Sequence, residues 1–124
     1  MNIHESAEDY LEAILMLHTR LGMVRSIDIV RELNYSKPSV SVAMKRLREN
    51  GYIEMDADGF ITLLPPGEEI ATRIYARHQL LTAFLLQLGV SPENAAADAC
   101  KIEHDISEET FSRLKAHIAP KESQ

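Results

Sequence analysis

The octapeptide DACKIEHD, Asp98 to Asp105, holds the chain's single cysteine, with Glu103 and His104 three and four positions beyond it. On a helix those spacings put Cys100, Glu103 and His104 on one face, because side chains at i, i+3 and i+4 stack above one another. A thiolate, a carboxylate and an imidazole converging on one point form a donor set for a divalent metal. A buried cysteine beside a surface acid and histidine fits the same three residues, and the spacing leaves both readings open. Asp9 and Glu12 repeat the i, i+3 spacing near the N-terminus, and His78 stands mid-way along a long helical pattern. Acids in a first turn also suit the helix dipole, so these positions have a plain structural reading too. A lone cysteine closes no disulfide within the chain, which leaves Cys100 as packing, a reactive thiol or a ligand.

A second group of residues has the chemistry to meet a nucleic acid. The 124 residues carry a net charge of -6, with 45% hydrophobic and 26% charged residues, which suits a globular protein and opposes polyanion binding by the whole molecule. The charge is unevenly spread. Between Arg25 and Asn50, six basic residues (Arg25, Arg31, Lys37, Lys45, Arg46, Arg48) stand against three acidic ones, a net +3 that leaves -9 for the remainder. Within that window SKPSVSVAMKRLRENG starts with small hydroxyl residues. Such side chains let a helix backbone approach a major groove, while lysine and arginine reach phosphates or base edges. The candidate DNA contacts are Arg25, Ser36, Lys37, Pro38, Ser39, Ser41, Lys45 and Arg46. An ordinary helical hairpin with solvated basic residues has a similar pattern.

The elements that must position both groups follow from punctuation and period. Ser6 can cap a first helix with apolar residues Tyr10, Leu11, Ile14, Leu15, Leu17 and Leu21, ended by Gly22. Ser26 can cap a short second helix through Leu33. NYSKP makes a tight turn in which Ser36 caps and Pro38 enters a third helix, with Val40, Val42, Met44 and Leu47 as its apolar side and Gly51 as terminator. Alternation then predicts two strands, Tyr52 to Met55 and Phe60 to Leu63, around a turn at 56–59. A long helix runs from about Pro66 to Leu88, closed by Gly89. Ser91 and Pro92 start a fifth helix containing the octapeptide, Ser107 caps a sixth to about Ile118, and 120–124 reads as a frayed tail.

These residues together resemble the diphtheria toxin repressor family of metal-dependent transcriptional regulators, and within it the manganese transport regulator branch. The resemblance runs through SAEDYLEAI, SKPSVSVAMKRL, the glycine-bounded hairpin, YARHQLL and DACKIEHDIS. It implies a mainly α fold: an N-terminal winged helix-turn-helix with a β-hairpin wing over 1–64, then a helical dimerisation and metal-binding domain over 65–120. It implies Asp9, Glu12, His78, Cys100, Glu103 and His104 as ligands to Mn2+ or Fe2+, one or two ions per subunit. The implied partners are double-stranded DNA with a palindromic operator and a second copy of the chain; the implied role is repression of metal-uptake genes.

Iron-responsive members typically pair a cysteine at the position of Cys100 with a methionine at that of Asp9, whereas manganese-responsive members pair the aspartate with a glutamate. This chain combines the two, and Thr82 and Ala96 stand where the iron branch has a glutamate and a histidine. Manganese and iron therefore both stay open. Its length suggests the shorter manganese-type architecture. No apolar run reaches the roughly 18 residues of a membrane span and MNIHESAEDY does not read as a secretion signal, so a cytoplasmic protein is expected. A metal-independent winged-helix regulator sensing an organic ligand would need no convergent donors. A small metalloenzyme would be expected to show a nucleophile elbow, phosphate loop or substrate pocket, none of which is legible. No residue is assigned a catalytic role.

Overall fold

The structure, a computed structural model, describes residues 5–122, and the chain divides into two compact units, Met1–Arg73 and Ile74–Gln124. The first contains α1 (Glu5–Leu21), α2 (Ser26–Leu33), α3 (Lys37–Glu49), the strands β1 (Ile53–Met55) and β2 (Ile61–Leu63), and the start of α4 (Pro65–Gln87). Tyr10, Leu11, Ile14 and Leu17 of α1 recur at helical spacing and are buried with Ile29 of α2, Val40, Met44 and Leu47 of α3, Ile53 and Ile61 of the hairpin and Ala71 of α4. Fully burying one such aliphatic side chain contributes about 1.5–3 kcal/mol. The cluster therefore fixes how α3 is presented. Val42 does not belong to it: it is 52% exposed. Two residues turn a helix through about 200°, so Val42 points away from the stripe that Val40 begins.

The caps hold α2 and α3 at a short turn. Ser36 caps α3 as expected, its Oγ accepting from the Ser39 N–H at 3.2 Å. At α2 the cap is Arg25 rather than Ser26; the extended Arg25 backbone N–H donates to Asp28 Oδ2 at 2.9 Å. A carboxylate at the third helical position reaches back to that amide, which moves the helix start one residue ahead of the serine hydroxyl. Helix α1 takes in Glu5, so Ser6 lies inside it; residues 1–4 fall outside the described range. Gly51, at φ +81°, ends α3 with Gly51 N–H donating to Arg48 O and Tyr52 N–H to Leu47 O, the paired bonds that a left-handed glycine permits.

The wing strands are each one residue shorter at their start than alternation predicts, and pair antiparallel as Ile53 with Leu63, Glu54 with Thr62 and Met55 with Ile61. The Asp56 carboxylate ties the tip by accepting from the Asp58 and Phe60 amides, both at 2.9 Å. Ile61 turns its backbone groups away from β1: its N–H donates to Val24 O at 2.8 Å and its carbonyl accepts from His18 Nε2 at 2.9 Å. Those two bonds cover an edge that a two-stranded hairpin leaves open. Arg25 stacks its guanidinium 4.2 Å from the Phe60 ring centroid, which adds a side-chain tie at the same place.

The second unit contains the rest of α4, α5 (Pro92–Ile102) and α6 (Glu108–Glu122). Its buried side chains include Ile74, Arg77, Leu81, Ala95, Ala99, Glu103, Phe111 and Ile118. Ser91 caps α5 and Ser107 caps α6, their hydroxyls accepting from Asn94 N–H at 3.4 Å and Thr110 N–H at 3.1 Å. Helix α5 stops at Ile102, so the octapeptide does not lie within one helix: Glu103 is its C-cap and His104 begins the turn to α6. Helix α6 continues through Pro120 to Glu122 instead of fraying at 120; proline removes one helical bond, but its fixed φ is itself helical. Helix α4 ends at Gln87, and Leu86 and Leu88 stand 43% and 64% exposed. No helix among the described residues is long and apolar enough to cross a membrane.

Candidate metal centre and nucleic-acid interface

In the second unit the donor cluster is built around Glu103. Its backbone N–H still bonds Ala99 O at 3.0 Å, so it keeps helical register with Cys100 one turn earlier although it caps the helix. The Glu103 side chain is wholly buried, with Oε2 3.2 Å from His78 Nδ1 and Oε1 3.5 Å from His104 Nε2. Neither carboxylate oxygen accepts a hydrogen bond from a described residue. A carboxylate taken out of water without such bonds is costly unless a cation compensates it. Cys100 is exposed and offers its sulfur within 4.8 Å of a Glu103 oxygen. That exposure counts against Cys100 as core packing, and the soft Cys100 sulfur and the harder His78 and His104 nitrogens each lie beside the Glu103 carboxylate.

The corner carrying Glu103 and His104 is held by Arg77, which the sequence pattern did not single out. Its Nη1 donates to Glu103 O at 3.0 Å and Ile106 O at 3.1 Å, and its Nη2 to Glu108 Oε2 at 2.8 Å. These carbonyls lie at and just beyond the end of α5, where helical partners run out. A donor from α4 supplies the bonds and ends α5 where it does. The one legible signal was an arginine beside the candidate ligand His78 in a stretch of otherwise apolar period.

Asp9 and Glu12 lie one turn apart on α1 in the first unit, Asp9 half-buried and Glu12 only 6% exposed. Burial, then Tyr35, then the Asp9 carboxylate hold the Tyr10 phenol above its ordinary pKa, so it stays neutral around pH 7.

The eight candidate DNA contacts are all exposed. Lys37, Pro38, Ser39, Ser41, Lys45 and Arg46 lie on α3 outside its buried stripe, with Ser36 at its cap. Arg25 sits apart from them, at the start of α2 and against Phe60. Ser41 and Lys45 share a shallow groove with Ser26, Val42, Met44, Arg48 and Met55. Val42, expected on the apolar side of α3, is a surface residue of this groove. Counting helical period from Val40, rather than hydrophobicity alone, marks Val42 as outward.

The N-terminal DNA-binding domain of iron-dependent repressors matches residues 2–59, and the metal-binding and dimerisation domain of the same repressors matches residues 65–122. The chain belongs to the iron-dependent repressor family. Relatives include the transcriptional regulator MntR of Salmonella typhimurium, 40% identical over 112 residues that span 90% of this chain and 71% of that protein. The MntR of Lysinibacillus sphaericus is 34% identical over 109 residues, 88% of this chain and 78% of its own. The manganese regulator SloR aligns with a TM-score of 0.81 at 26% identity, over 96% of this chain and 55% of that one. The structure of T. acidophilum IdeR aligns at 0.82 and 28%, over 96% and 55%. The chain thus spans about half the length of these solved structures. As an iron-dependent repressor family member it is a DNA-binding, dimerising regulator and not an enzyme, and it has the winged-helix and helical halves of that architecture.

Proposed function

We propose that this protein represses metal-uptake genes by binding a palindromic operator as a homodimer when loaded with manganese(II) or iron(II). The observation that carries the reading is the wholly buried Glu103 carboxylate, set beside two imidazoles and an exposed thiol and accepting no hydrogen bond from a described residue. Those donors fit a divalent cation. We assign the ligands as Asp9, Glu12, His78, Cys100, Glu103 and His104, and place the functional boundary between 64 and 65, supported by the gap between the two matched domains. With the three carboxylates and the thiolate ionised and both histidines neutral, the ligands total -4, which two divalent cations balance. Carboxylates and imidazoles suit manganese(II) and iron(II), and the thiolate moves the balance toward iron. Relatives named for manganese support the first metal, and the iron-dependent repressor domains that match the chain support the second.

The DNA half is assigned to Arg25, Ser36, Lys37, Pro38, Ser39, Ser41, Lys45 and Arg46. A two-fold dimer presents two α3 helices to half-sites about one helical turn apart. Because Asp9 and Glu12 precede the reading helix in the same domain, metal shared with the C-terminal ligands orders the reader on the dimer before DNA arrives. The ordering entropy is then spent once, and metal and operator bind cooperatively. A regulator that reads genomic DNA in this way works in the cytoplasm.

The test is an anaerobic operator titration with manganese(II), with iron(II) and with chelator. Metal should tighten DNA binding by about 5–150-fold, and operator DNA should tighten metal binding by the same factor, as linkage requires. Equal operator affinity with metal and with chelator would sink the proposal.

A further inference from the structure

We infer that Arg77 is the positioning residue of the metal centre, holding the backbone of Glu103 and His104 while leaving the Glu103 carboxylate open to a cation. This rests on the ligand assignment proposed above. Arg77 is only 6% exposed, yet it does not take the wholly buried carboxylate that lies on the residue it holds. A guanidinium is planar, carries five N–H donors in a fixed fork, and ordinarily pairs bidentate with a carboxylate. Here the fork is engaged elsewhere: Nη1 bridges the carbonyls of Glu103 and Ile106, Nη2 binds Glu108, and the plane lies 5.1 Å from the Phe111 ring centroid.

Four consequences follow from that arrangement. The carbonyl at the end of α5 gains a charged donor, and the turn from Glu103 to Ile106 is closed at both ends by one group. Glu103 keeps both oxygens toward His78 and His104, at 3.2 and 3.5 Å. His104, within the closed turn, is held by the same clasp. Since Arg77 precedes His78 on α4, the helix that supplies one imidazole also sets the backbone of the other two donors. An outer partner of this kind orients ligands without touching the ion, and losing one typically weakens metal binding by about 10–100-fold.

The experiment uses the full chain. Manganese(II) affinity is measured by competition with a chelating indicator for wild type, Arg77→Lys, Arg77→Ala, Glu103→Gln and His78→Ala, with far-ultraviolet circular dichroism of each metal-free protein. Arg77→Lys should keep wild-type helicity and lose about 10–100-fold in metal affinity, because a point-charge ammonium cannot span two carbonyls and a carboxylate. Millimolar methylguanidinium should restore part of the affinity of Arg77→Ala and leave Glu103→Gln unchanged, a rescue that general stabilisation would not confine to one variant. Wild-type affinity in Arg77→Lys, or loss of its helicity without metal, would overturn the inference. Weak binding by Glu103→Gln and His78→Ala beside normal binding by Arg77→Lys would overturn it alone. Normal binding by Glu103→Gln and His78→Ala would overturn the ligand assignment, and the inference with it.

Discussion

Lys37 and Arg46 stand in solvent on α3, outside the stripe formed by Val40, Met44 and Leu47. Removing either charge should leave the core and the donor cluster untouched. Lys37→Ala and Arg46→Ala are each expected to weaken operator binding and to reduce the slope of log affinity against log salt by about 0.9, the counterion release of one phosphate contact. Fluorescence anisotropy over a salt series measures this, and unchanged slopes would place the DNA on another surface. Cys100 decides a different matter. It is exposed and close to Glu103, so its thiolate is available both to a metal and to oxidants. Cys100→Glu should move preference from iron(II) toward manganese(II) and abolish peroxide sensitivity at this site; bound metal should protect the wild type. Anaerobic DNA titrations with each metal, before and after peroxide, are the check. An unchanged metal ratio and unchanged peroxide response would remove Cys100 from the ligand set.

At the scale of elements, the start of α4 is locked to the wing by the absence of a side chain. Gly67 is buried in the first turn of α4, and a β-carbon there would run into the carbonyl oxygen of Tyr52, with Leu11 Cδ2 3.4 Å away. Tyr52 O is not free to retreat, because it accepts from the Leu64 amide at 3.0 Å as β2 gives way to α4. Gly67→Ala should therefore lower stability by about 1–3 kcal/mol despite alanine's better helix propensity. Urea unfolding followed by circular dichroism will show it; a neutral or stabilising effect would mean that the strand-to-helix junction yields. The wing depends on similar long-range ties. The bonds that the Ile61 backbone makes to the His18 ring and to the Val24 carbonyl give a three-residue strand an anchorage that its own ladder cannot.

For the whole molecule, the matched dimerisation domain and the apolar exposure of its helices point the same way. Among the large apolar residues of the second unit, Phe111 and Ile118 are buried at 9% and 1% exposure, whereas Leu88 is 64% exposed with Leu86 beside it at 43%. The exposed large apolar side chains of this unit thus lie near the end of α4. Light scattering during size-exclusion chromatography should give about twice the chain mass of 14.0 kDa at micromolar concentration, with or without metal. A monomer under both conditions would contradict the two-fold reading of an operator.

Most of the element order was legible because its signals are local. Ser36, Ser91 and Ser107 satisfy amides three residues on, Gly51 accepts a positive φ, and the apolar stripe of α1 repeats at the helical period. The donor types of the second unit were legible too, since i and i+3 spacing brings Cys100 and Glu103 together however α5 ends. Tertiary structure decided what depends on partners far along the chain. Arg77 ends α5 from 26 residues away and puts His104 in a turn instead of on a helix face. His18 closes the wing's edge across 43 residues. Local pattern specifies how a backbone satisfies itself over a turn or two, but an orphan carbonyl takes whichever donor the packed chain brings within about 3 Å, and only the fold determines which donor that is.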